Sequence, residues 1–553
     1  MEPQPATTEF DILRQAGDHA CRDGLWERAE ACYRQALVER PEATEVLNNL
    51  GVLLRHRGDH GQAVGMFRRA AELLPGNAMI HNNLGRSLLA LGDLKDAERA
   101  LVTALNLFPG FPEGHNNLAL VLWRQGRLGE AENALRLALE LRPTHAEALN
   151  NLGDLLRTLG RYSEAVAALR RARDCAPDRA EIVANLGRAL LEAGRLPEAL
   201  EVSREAVGLD PGLALAHNNL GKVLADLARP QEALEALERA VALAPDWVPA
   251  RLNQAYLLLA TGHFREGWAA HEWRRRSPEY RAREAELPMP PWRGEPLADR
   301  TLLVHLEQGH GDALQFVRFL PRLAALGAQV MLQATPPLGR LLHGVPGAAR
   351  VIAREDPLPA ADYHVPILSL PHLLGLEAGE VAVAGPYLRS PSPPVGFRKG
   401  ARPLVGLAWA GNPEQVHDRH RSIGLAALAP LVATPAVDWV ALQVGPGREQ
   451  LAEQAWAVRI RRVGLTDFAD TAGVMGELDL VITVDTAVAH LAGALGRPVW
   501  VLLSWVADWR YGAGGDRTPW YDTMRLFRQG PERDWGPVVQ AVARALAEWL
   551  PVS

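Results

Sequence analysis

Asparagine returns at a fixed spacing of 34 residues through the first half of the chain. The series consists of Asn49, Asn83, Asn117, Asn151, Asn185, Asn219 and Asn253. A residue type that recurs at one phase of such a long period marks an array of similar structural units. The sequence therefore predicts a solenoid in which every unit carries an amide at the same place.

Proline, alanine and glycine keep the same 34-residue period. Proline ends the second helix of a unit, glycine permits the turn between its two helices, and alanine lets those helices pack closely. The prolines are residues 41, 75, 109, 143, 177, 211 and 245, the alanines are 29, 63, 97, 131, 165, 199 and 233, and the glycines are 24, 58, 92, 126, 160 and 194. This arrangement resembles the tetratricopeptide repeat family. The resemblance covers residues 10–281 in about eight units, which start at residues 10, 44, 78, 112, 146, 180, 214 and 248.

The asparagines are predicted to line the concave wall of this superhelix. Asn49 precedes Leu50 and Gly51, which face the neighbouring helix, and about 100° of turn per residue carries the amide away from that seam. A primary amide can both donate to and accept from a polypeptide backbone. In similar tetratricopeptide proteins, notably the O-linked N-acetylglucosamine transferases, such a ladder holds an extended polypeptide, which implies a protein or peptide acceptor. The alternative is that each asparagine only bonds the adjacent helix.

Composition limits the remaining possibilities. A net charge of -6 provides no general basic surface, which argues against nucleic acid as a partner. Cys21, Cys32 and Cys175 show no metal-like spacing and indicate reduced thiols in a cytoplasmic protein. The short, acidic N-terminus is not a signal peptide, and charged residues interrupt the most apolar stretch, Leu478 to Leu503, so no transmembrane segment is predicted.

A second type of architecture begins after the repeats. Residues 282–300 are rich in proline and predict a linker, and the following sequence alternates short apolar runs with amphipathic stretches. The predicted strands are Thr301–Leu306, Gln329–Gln333 and Tyr363–Ile367 in a first Rossmann-like lobe (301–388), and Leu404–Ala410, Val437–Gln443, Arg459–Val463, Leu480–Val484 and Val499–Leu503 in a second (404–553), which a helix over Asp534–Leu550 closes. Ligands of such sheets bind at the carboxyl ends of the strands.

The loop after the first strand contains Gly309, His310, Gly311 and Asp312. The glycines permit a tight turn, and Asp312 at the helix start is either an N-cap or a general base, with His310 as the alternative base. The phrase that continues from Gly311 to Pro321 resembles glycosyltransferase family 9, the lipopolysaccharide heptosyltransferases. The resemblance implies that Asp312 deprotonates the acceptor hydroxyl.

The loop after strand Leu480–Val484 is the second candidate. A helix that begins near Thr486 would present backbone N–H groups to the diphosphate of a nucleotide sugar. Asp485 would cap this helix or bond a sugar or ribose hydroxyl, and His490 either reaches the cleft or packs. Residues 485–499 are similar to the family 9 signature. They depart from it at Ala487, where the family has glycine, and residues 504–509 replace the family's usual loop, so the donor identity is not carried over.

A third loop follows strand Leu404–Ala410 and contributes Asn412, Arg419 and Arg421. Arg421 is the candidate for countering the charge of the leaving diphosphate, with Arg419 as the alternative, because a guanidinium can bind two phosphate oxygens at once. Gln443, at the end of the next strand, is the predicted contact to the nucleotide base. The alternative for Gln443 is an ordinary strand-end polar residue.

These observations predict an α-solenoid, a tetratricopeptide superhelix, followed by an α/β GT-B fold with two Rossmann-like lobes. No Asp-x-Asp pair occurs, so neither a metal nor another cofactor is expected besides the nucleotide-sugar substrate. The predicted function is inverting transfer of a sugar to a hydroxyl of a protein acceptor, with flagellin-modifying enzymes of this domain order as a precedent. The alternatives are transfer to lipopolysaccharide or another surface glycan, and an inactive scaffold. An exposed solenoid face also favours a homo-oligomer.

Overall fold

The computed structural model of the protein describes residues 8–381, 385–413 and 418–550. The chain forms two compact units, of which one ends at Val223 and the other begins at Leu224. The first unit is built from antiparallel helix pairs. The second contains the last helices of the repeat region and two parallel sheets. The predicted order, a helical solenoid followed by an α/β region, is therefore confirmed.

Two helices form each repeat. The helices are α1 (Glu9–Arg22), α2 (Trp26–Glu39), α3 (Thr44–His56), α4 (His60–Leu73), α5 (Ala78–Leu91), α6 (Leu94–Leu107), α7 (Pro112–Arg124), α8 (Leu128–Leu141), α9 (Ala146–Thr158), α10 (Tyr162–Cys175), α11 (Ala180–Glu192), α12 (Leu196–Leu209), α13 (Ala214–Asp226), α14 (Pro230–Leu243), α15 (Val248–Ala260) and α16 (Phe264–His271). A 3-10 turn (Glu272–Arg276) and α17 (Pro278–Ala285) follow them.

The periodic residues have the packing roles that the sequence indicates. All seven alanines of the series are 0% exposed at the helix contacts. A Cβ added at Gly85 would lie 2.5 Å from Leu101, so only glycine permits this approach of two helices. The turn glycines have positive φ, such as +80° at Gly92. One period after Gly194, Ala228 occupies the same turn position with a φ of 55°.

The α/β region contains ten strands among the described residues, arranged in two parallel sheets. The strands are β1 (Thr301–His305), β2 (Gln329–Ala334), β3 (Arg350–Ala353), β4 (Tyr363–Pro366), β5 (Leu404–Ala408), β6 (Asp438–Ala441), β7 (Ile460–Arg462), β8 (Leu480–Val484), β9 (Val499–Leu503) and β10 (Met524–Arg528). The first sheet has the order β3-β2-β1-β4, and the second has the order β10-β9-β8-β5-β6-β7.

Helices connect these strands. They are α18 (His310–Phe316), α19 (Leu320–Ala325), α20 (Pro336–Leu342), α21 (Leu370–Leu373), α22 (Asp418–Arg421), α23 (Ala429–Val432), α24 (Gln450–Glu453), α25 (Phe468–Gly476), α26 (Ala487–Ala494) and α27 (Gly536–Trp549). A 3-10 turn at Val317–Phe319 separates α18 from α19. The helix expected to start near Asp312 is therefore divided into shorter segments.

The eight predicted strands are confirmed to within about three residues at each end. Strands β8 and β9 have the predicted bounds, because every residue of both is buried and the apolar runs are continuous. Two strands were not predicted. β3 is a short edge strand with a single buried residue, and β10 contains Arg525 and Arg528, so neither has the apolar run of a buried strand.

One hydrophobic core joins the last repeat to both sheets in the second unit. Trp268 of α16 is 1% exposed, and its ring meets Trp509 edge-on at 5.2 Å between centroids and Phe316 at 5.9 Å. Trp292 lies within the segment expected to be a linker and is 3% exposed. Its backbone N–H donates to the His364 carbonyl at 2.8 Å. This part of the segment is therefore packed against the first sheet.

Among the residues that the structure describes, no helix is both long enough and apolar enough to cross a membrane.

Candidate active site

The candidate loops leave the carboxyl ends of strands at the topological switch points of the two sheets. In the second sheet the chain order reverses between β5 and β8, and Trp409 and Asp485 directly follow these two strands. In the first sheet the reversal lies beside β1, whose following loop leads to Asp312. Open α/β sheets bind ligands at such points.

Asp312 is the third residue of α18. It is therefore not the N-cap of this helix, which is Gly309, but its Oδ2 accepts a hydrogen bond from the Gly309 N–H at 2.9 Å. Its Oδ1 accepts from the Arg510 guanidinium. Burial raises the pKa of Asp312, although the positive charge of Arg510 opposes the rise. Asp312 thus combines a local role at the helix start with an ion pair to a distant loop.

Arg510 is a buried hub of this site that sequence reasoning missed. Besides Asp312, its guanidinium donates to Asp508 Oδ1 at 2.8 Å and to Gln315 Oε1 at 2.7 Å. The guanidinium also lies 4.2 Å from the centre of the Trp509 ring. Although burial disfavours the charge, Asp508 and Asp312 raise the pKa of Arg510, so it stays a cation.

A second carboxylate, Asp485, lies next to this hub. Asp485 Oδ1 accepts a hydrogen bond from the Tyr511 hydroxyl at 2.9 Å, and Asp485 Oδ2 is 4.0 Å from Arg421 Nη1. Asp485 does not cap α26, because the N-cap of this helix is Thr486. Burial raises the pKa of Asp485 to about 6, the charge of Asp508 adds to the rise, and Arg421 opposes it.

Arg421 is fixed from its own helix by Asp418, whose Oδ1 accepts from Arg421 Nε at 3.0 Å. A Cβ at Gly411 would lie 2.9 Å from Arg421 Nη2, so the glycine after β5 leaves room for the guanidinium. Asn412 is exposed in the same loop. The Arg419 side chain lies outside the described residues, so its predicted role in donor binding stays a prediction.

Helices α18 and α26 meet at the site. A Cβ at Gly311 would lie 2.9 Å from the His490 ring and 3.6 Å from the Ala487 Cα, so this glycine allows their first turns to touch. His490 is 5% exposed, and its Nδ1 pairs with the Tyr521 hydroxyl at 3.1 Å. Burial holds the pKa of His490 well below its ordinary value. The packing alternative for His490 is thus the one that the geometry favours.

Thr486 makes no side-chain capping bond to the first turn of α26. This terminus, formed by Thr486 and Ala487, is partly exposed, which is compatible with its predicted role toward a diphosphate. His310 lies 5.2 Å from Phe468 between ring centroids, and burial lowers its pKa. A base role for His310 stays a prediction.

Gln443 has a structural role that the prediction of a base contact did not anticipate. It is 3% exposed, and its Oε1 accepts from the N–H groups of Trp409 and Ala410, both at 3.0 Å. Its Nε2 donates to the carbonyls of Ala410 and Pro446. With both amide atoms used by backbone, the geometry favours the strand-end alternative, and the contact to a nucleotide base stays an unsupported prediction.

The asparagine series forms hydrogen bonds between successive repeats. Asn83 Nδ2 donates to Asn48 Oδ1 at 3.0 Å, and Asn117, Asn151 and Asn185 make the same bond to Asn82, Asn116 and Asn150 at 2.8 to 2.9 Å. Asn219 donates to the Ala184 carbonyl at 2.9 Å, and Asn49 donates to Asp18 Oδ1 at 3.3 Å. Asn253, the last asparagine of the series, lies in the second unit. The local alternative is thus present in the structure, and binding of an acceptor by the same amides stays a prediction.

The sequence contained one signal for the missed residues. Residues 504–509 differ from the family 9 loop, and Arg510 and Tyr511 come directly after this departure. Among the described residues, no group of three or more His, Cys, Asp or Glu side chains could hold a metal ion, and metal independence remains a prediction.

Three family models match parts of the chain. The model for the cilia and flagella-associated protein 70 C-terminal domain matches residues 1–219, and the tetratricopeptide repeat model matches residues 214–247. The model for glycosyltransferase family 9 (heptosyltransferase) matches residues 448–503. The last match includes Asp485, Thr486 and His490, and it ends before Arg510.

A curated relative and two solved structures are similar to the chain. Protein FlbA of Caulobacter vibrioides is 29% identical over 326 residues, which are 54% of this chain and 54% of FlbA, so the chain spans about half the length of that relative. A tetratricopeptide repeat protein from Parabacteroides merdae is 17% identical, with a TM-score of 0.39 over 45% of this chain and 98% of that one. MamA from Desulfovibrio magneticus RS-1 is 25% identical, with a TM-score of 0.28 over 31% and 96%. The chain thus joins tetratricopeptide repeats to an α/β region similar to glycosyltransferase family 9.

Proposed function

We propose that this protein is a metal-independent, inverting glycosyltransferase of the GT-B type, which moves a sugar from a nucleotide-sugar donor to a hydroxyl group of a protein acceptor. The polar cluster of Asp312, Arg510, Tyr511 and Asp485 carries the proposal. Its members come from loops at the carboxyl ends of strands in both sheets, where open α/β folds bind nucleotides.

Asp312 is the proposed general base. The acceptor hydroxyl gives its proton to the Asp312 carboxylate while its oxygen bonds to the anomeric carbon, and the bond from that carbon to the donor phosphate breaks. Burial raises the pKa of this carboxyl, which brings its proton affinity closer to that needed near neutral pH. Both carboxylate oxygens already accept N–H groups, so acceptor binding has to exchange one of these bonds.

The departing nucleoside diphosphate takes the electron pair of the broken bond, and its charge needs compensation. Arg421, half-buried near Asp485, is the proposed bidentate partner of its oxygens. The first turn of α26 adds partial positive charge and backbone N–H groups. Attack from the opposite face inverts the anomeric centre.

The last repeat supports a protein acceptor. Tyr256 of α15 is 38% exposed, and burial together with the negative charge of Asp508 raises the pKa of its phenol, so a side chain of the last repeat lies near the proposed reaction site. The ladder adds a second argument. Asn117 and Asn151 donate their Nδ2 to the preceding repeat, and their Oδ1 atoms accept no hydrogen bond from the described residues, so each can accept an N–H of an extended polypeptide. A flagellin-like protein is the acceptor class that the resemblance to bacterial enzymes of this domain order favours.

The first test is thermal unfolding of the protein with UDP, GDP, ADP and CMP, beside Arg421→Ala. A nucleotide at about 100 times its Kd adds about 2.7 kcal/mol, which raises Tm by a few degrees. We expect a shift with one nucleotide that Arg421→Ala loses. Arg544→Ala, an exposed arginine of α27, is the matched control and should keep the shift.

Two results would contradict the proposal. If no nucleotide stabilises the protein, the α/β region is a scaffold that lacks donor binding. If a nucleotide binds and its sugar is transferred to a surface glycan, while no protein acceptor is modified, the protein is a surface-glycan transferase and not a protein glycosyltransferase.

A further inference from the structure

A groove crosses the first helices of three consecutive repeats in the first unit. Its volume is about 300 Å³, and it is lined by Arg86, Leu89, Ala90, Asn117, Leu120, Arg124 and Glu147. These residues come from α5, α7 and α9. The floor is apolar and carries one ladder amide, and the rim carries two arginines and one glutamate.

The two arginines of this groove have no counter-charge within ion-pair distance in the described part of the chain. Arg86 and Arg124 are exposed, and neither forms an ion pair with any residue that the structure describes. Arg55, on the preceding first helix, donates to Asn83 Oδ1 at 3.1 Å and also forms no ion pair in the described part of the chain. Burial and the charge of Arg86 lower the pKa of Arg55 to about 10. Two guanidinium groups and one carboxylate, that of Glu147, therefore line the groove, and a third guanidinium group, that of Arg55, lies near Arg86.

The same helical positions further along the solenoid are neutralised internally. Asp154 and Arg188 follow Arg86 at two and three periods, and Glu192 follows Arg124 at two. There Arg157 pairs with Asp154 at 2.7 Å and with Glu192 at 3.0 Å, and Arg188 approaches Glu192 at 3.4 Å. At the positions compared, the excess positive charge thus lies in the second to fourth repeats.

We propose that the groove around Arg55, Arg86 and Arg124 binds an extended polypeptide segment rich in aspartate or glutamate. The guanidinium groups pair with its carboxylates, Leu89 and Leu120 contact the stems of its side chains, and Asn117 Oδ1 accepts a backbone N–H. Alternate side chains of an extended chain lie about 7 Å apart on one face, so several carboxylates of such a segment can point toward the groove together. The inference rests on the proposed function, since it assigns an acidic docking segment to the protein acceptor.

The experiment measures binding of a fluorescent peptide of about ten residues that alternates glutamate with alanine, by anisotropy, to the full chain. A peptide with glutamine in place of glutamate is the uncharged comparison. We expect saturable binding of the acidic peptide only, and a large loss of affinity between about 50 mM and about 500 mM salt, because salt screens exposed ion pairs.

Arg86→Glu combined with Arg124→Glu should weaken binding of the acidic peptide about tenfold to a hundredfold, because attraction becomes repulsion at two contacts. Arg86→Gln with Arg124→Gln should have a smaller effect of the same sign. The matched control is Arg69→Glu with Arg204→Glu, which makes the same charge change at exposed arginines on the second helices α4 and α12 and should retain affinity.

The inference is overturned if the acidic peptide fails to bind, or if groove and control variants lose affinity equally. Thermal unfolding with the nucleotides, run on the same variants, separates this outcome from failure of the proposed function. Unchanged nucleotide stabilisation with unchanged peptide binding in the groove variants rejects the groove alone. Peptide binding that depends on Arg86 and Arg124, without any nucleotide effect, retains the groove and rejects the transferase.

Discussion

The asparagine ladder and the arginine-carboxylate cluster are both polar networks, but they are built differently. The bonds between asparagines of the ladder join residues 35 positions apart and are repeated from one unit to the next. The Asp312–Arg510 bond spans 198 positions and occurs once. Loss of one ladder bond leaves the other repeats intact, whereas Arg510 holds three partners at once. The stability of the repeats therefore depends on many similar hydrogen bonds, whereas the geometry of the site depends on a few residues.

The largest expected effect is on catalysis. Asp312→Asn should lower turnover about 10²- to 10⁴-fold, because the amide cannot accept the proton of the acceptor hydroxyl. Release of nucleoside diphosphate from the identified donor measures it. Asp522→Asn, at an exposed position, is the control. Full turnover by Asp312→Asn would reject Asp312 as the base.

Removal of the hub should affect stability and the pH profile together. Arg510→Gln leaves Asp312 and Asp508 without their cation, which should cost about 3 kcal/mol or more in the free energy of unfolding. Arg510 opposes the burial-driven rise in the pKa of Asp312, so the acid limb of kcat/KM should move to higher pH in any variant that remains folded. Denaturant unfolding and a pH series measure both effects. Arg517→Gln, exposed in the same loop, should change neither.

Substitutions in the ladder should lower stability without changing the reaction site. Asn117→Ala, Asn151→Ala and Asn185→Ala combined should cost about 2 to 3 kcal/mol, since each removes one buried or half-buried hydrogen bond at about 1 kcal/mol. Nucleotide binding should not change. Asn106→Ala with Asn133→Ala, at exposed positions of second helices, is the comparison in thermal unfolding. A triple variant as stable as this comparison would show that the ladder contributes no stability, and unchanged acceptor affinity would end its proposed role in binding.

Asp485 gives a smaller effect with a defined sign. Its pKa rises from an ordinary value of 3.8 to about 6 in the folded protein, so its ionisation begins to destabilise the fold near pH 4 and does so fully above pH 6. Asp485→Asn should therefore gain about 2 kcal/mol in stability, relative to the unsubstituted protein, between about pH 4 and about pH 8. Unfolding of both proteins across this pH range measures the difference. Equal effects at the two pH values would contradict the raised pKa.

The smallest effect concerns the turn where the repeat pattern departs from glycine. Ala228 has a φ of 55°, in the left-handed region that costs an L-residue about 1 kcal/mol. Ala228→Gly should raise stability by about 0.5 to 1 kcal/mol after the greater freedom of the unfolded chain is included. Ala225→Gly, within α13, should lower it by a similar amount. A loss of stability at both positions would show that the turn is not strained.

The periodic part of the molecule could be read from the sequence because its contacts are local. Alanine, glycine and proline at 34-residue spacing determine helix packing within a unit and between neighbours. Strands β8 and β9 were also predictable, since a strand buried on both faces is a continuous apolar run. The site loops followed from the rule that ligands lie at strand carboxyl ends.

The partners within the site could not be read in this way. The pairing of Arg510 with Asp312 depends on how two loops from different sheets fold together, and no periodicity links them. The same limit applies to Gln443, whose amide is used by the backbone of a neighbouring loop. Sequence reasoning placed Gln443 at the correct strand end. It did not show that backbone groups of this loop use both atoms of the Gln443 side-chain amide.

The burial of Trp268 among aromatic rings of the α/β region has a consequence for how such proteins can diversify. Arg274, six residues further on in the 3-10 turn, is 6% exposed and pairs with Glu307, just after β1, at 2.9 Å. The end of the repeat array is thus an internal part of the α/β core, and a cut made where the repeats end in sequence would remove core side chains. We expect recombination that exchanges repeats to be tolerated upstream, near the boundary at Val223. Whole repeats can be replaced there, while the final ones are inherited together with the α/β region.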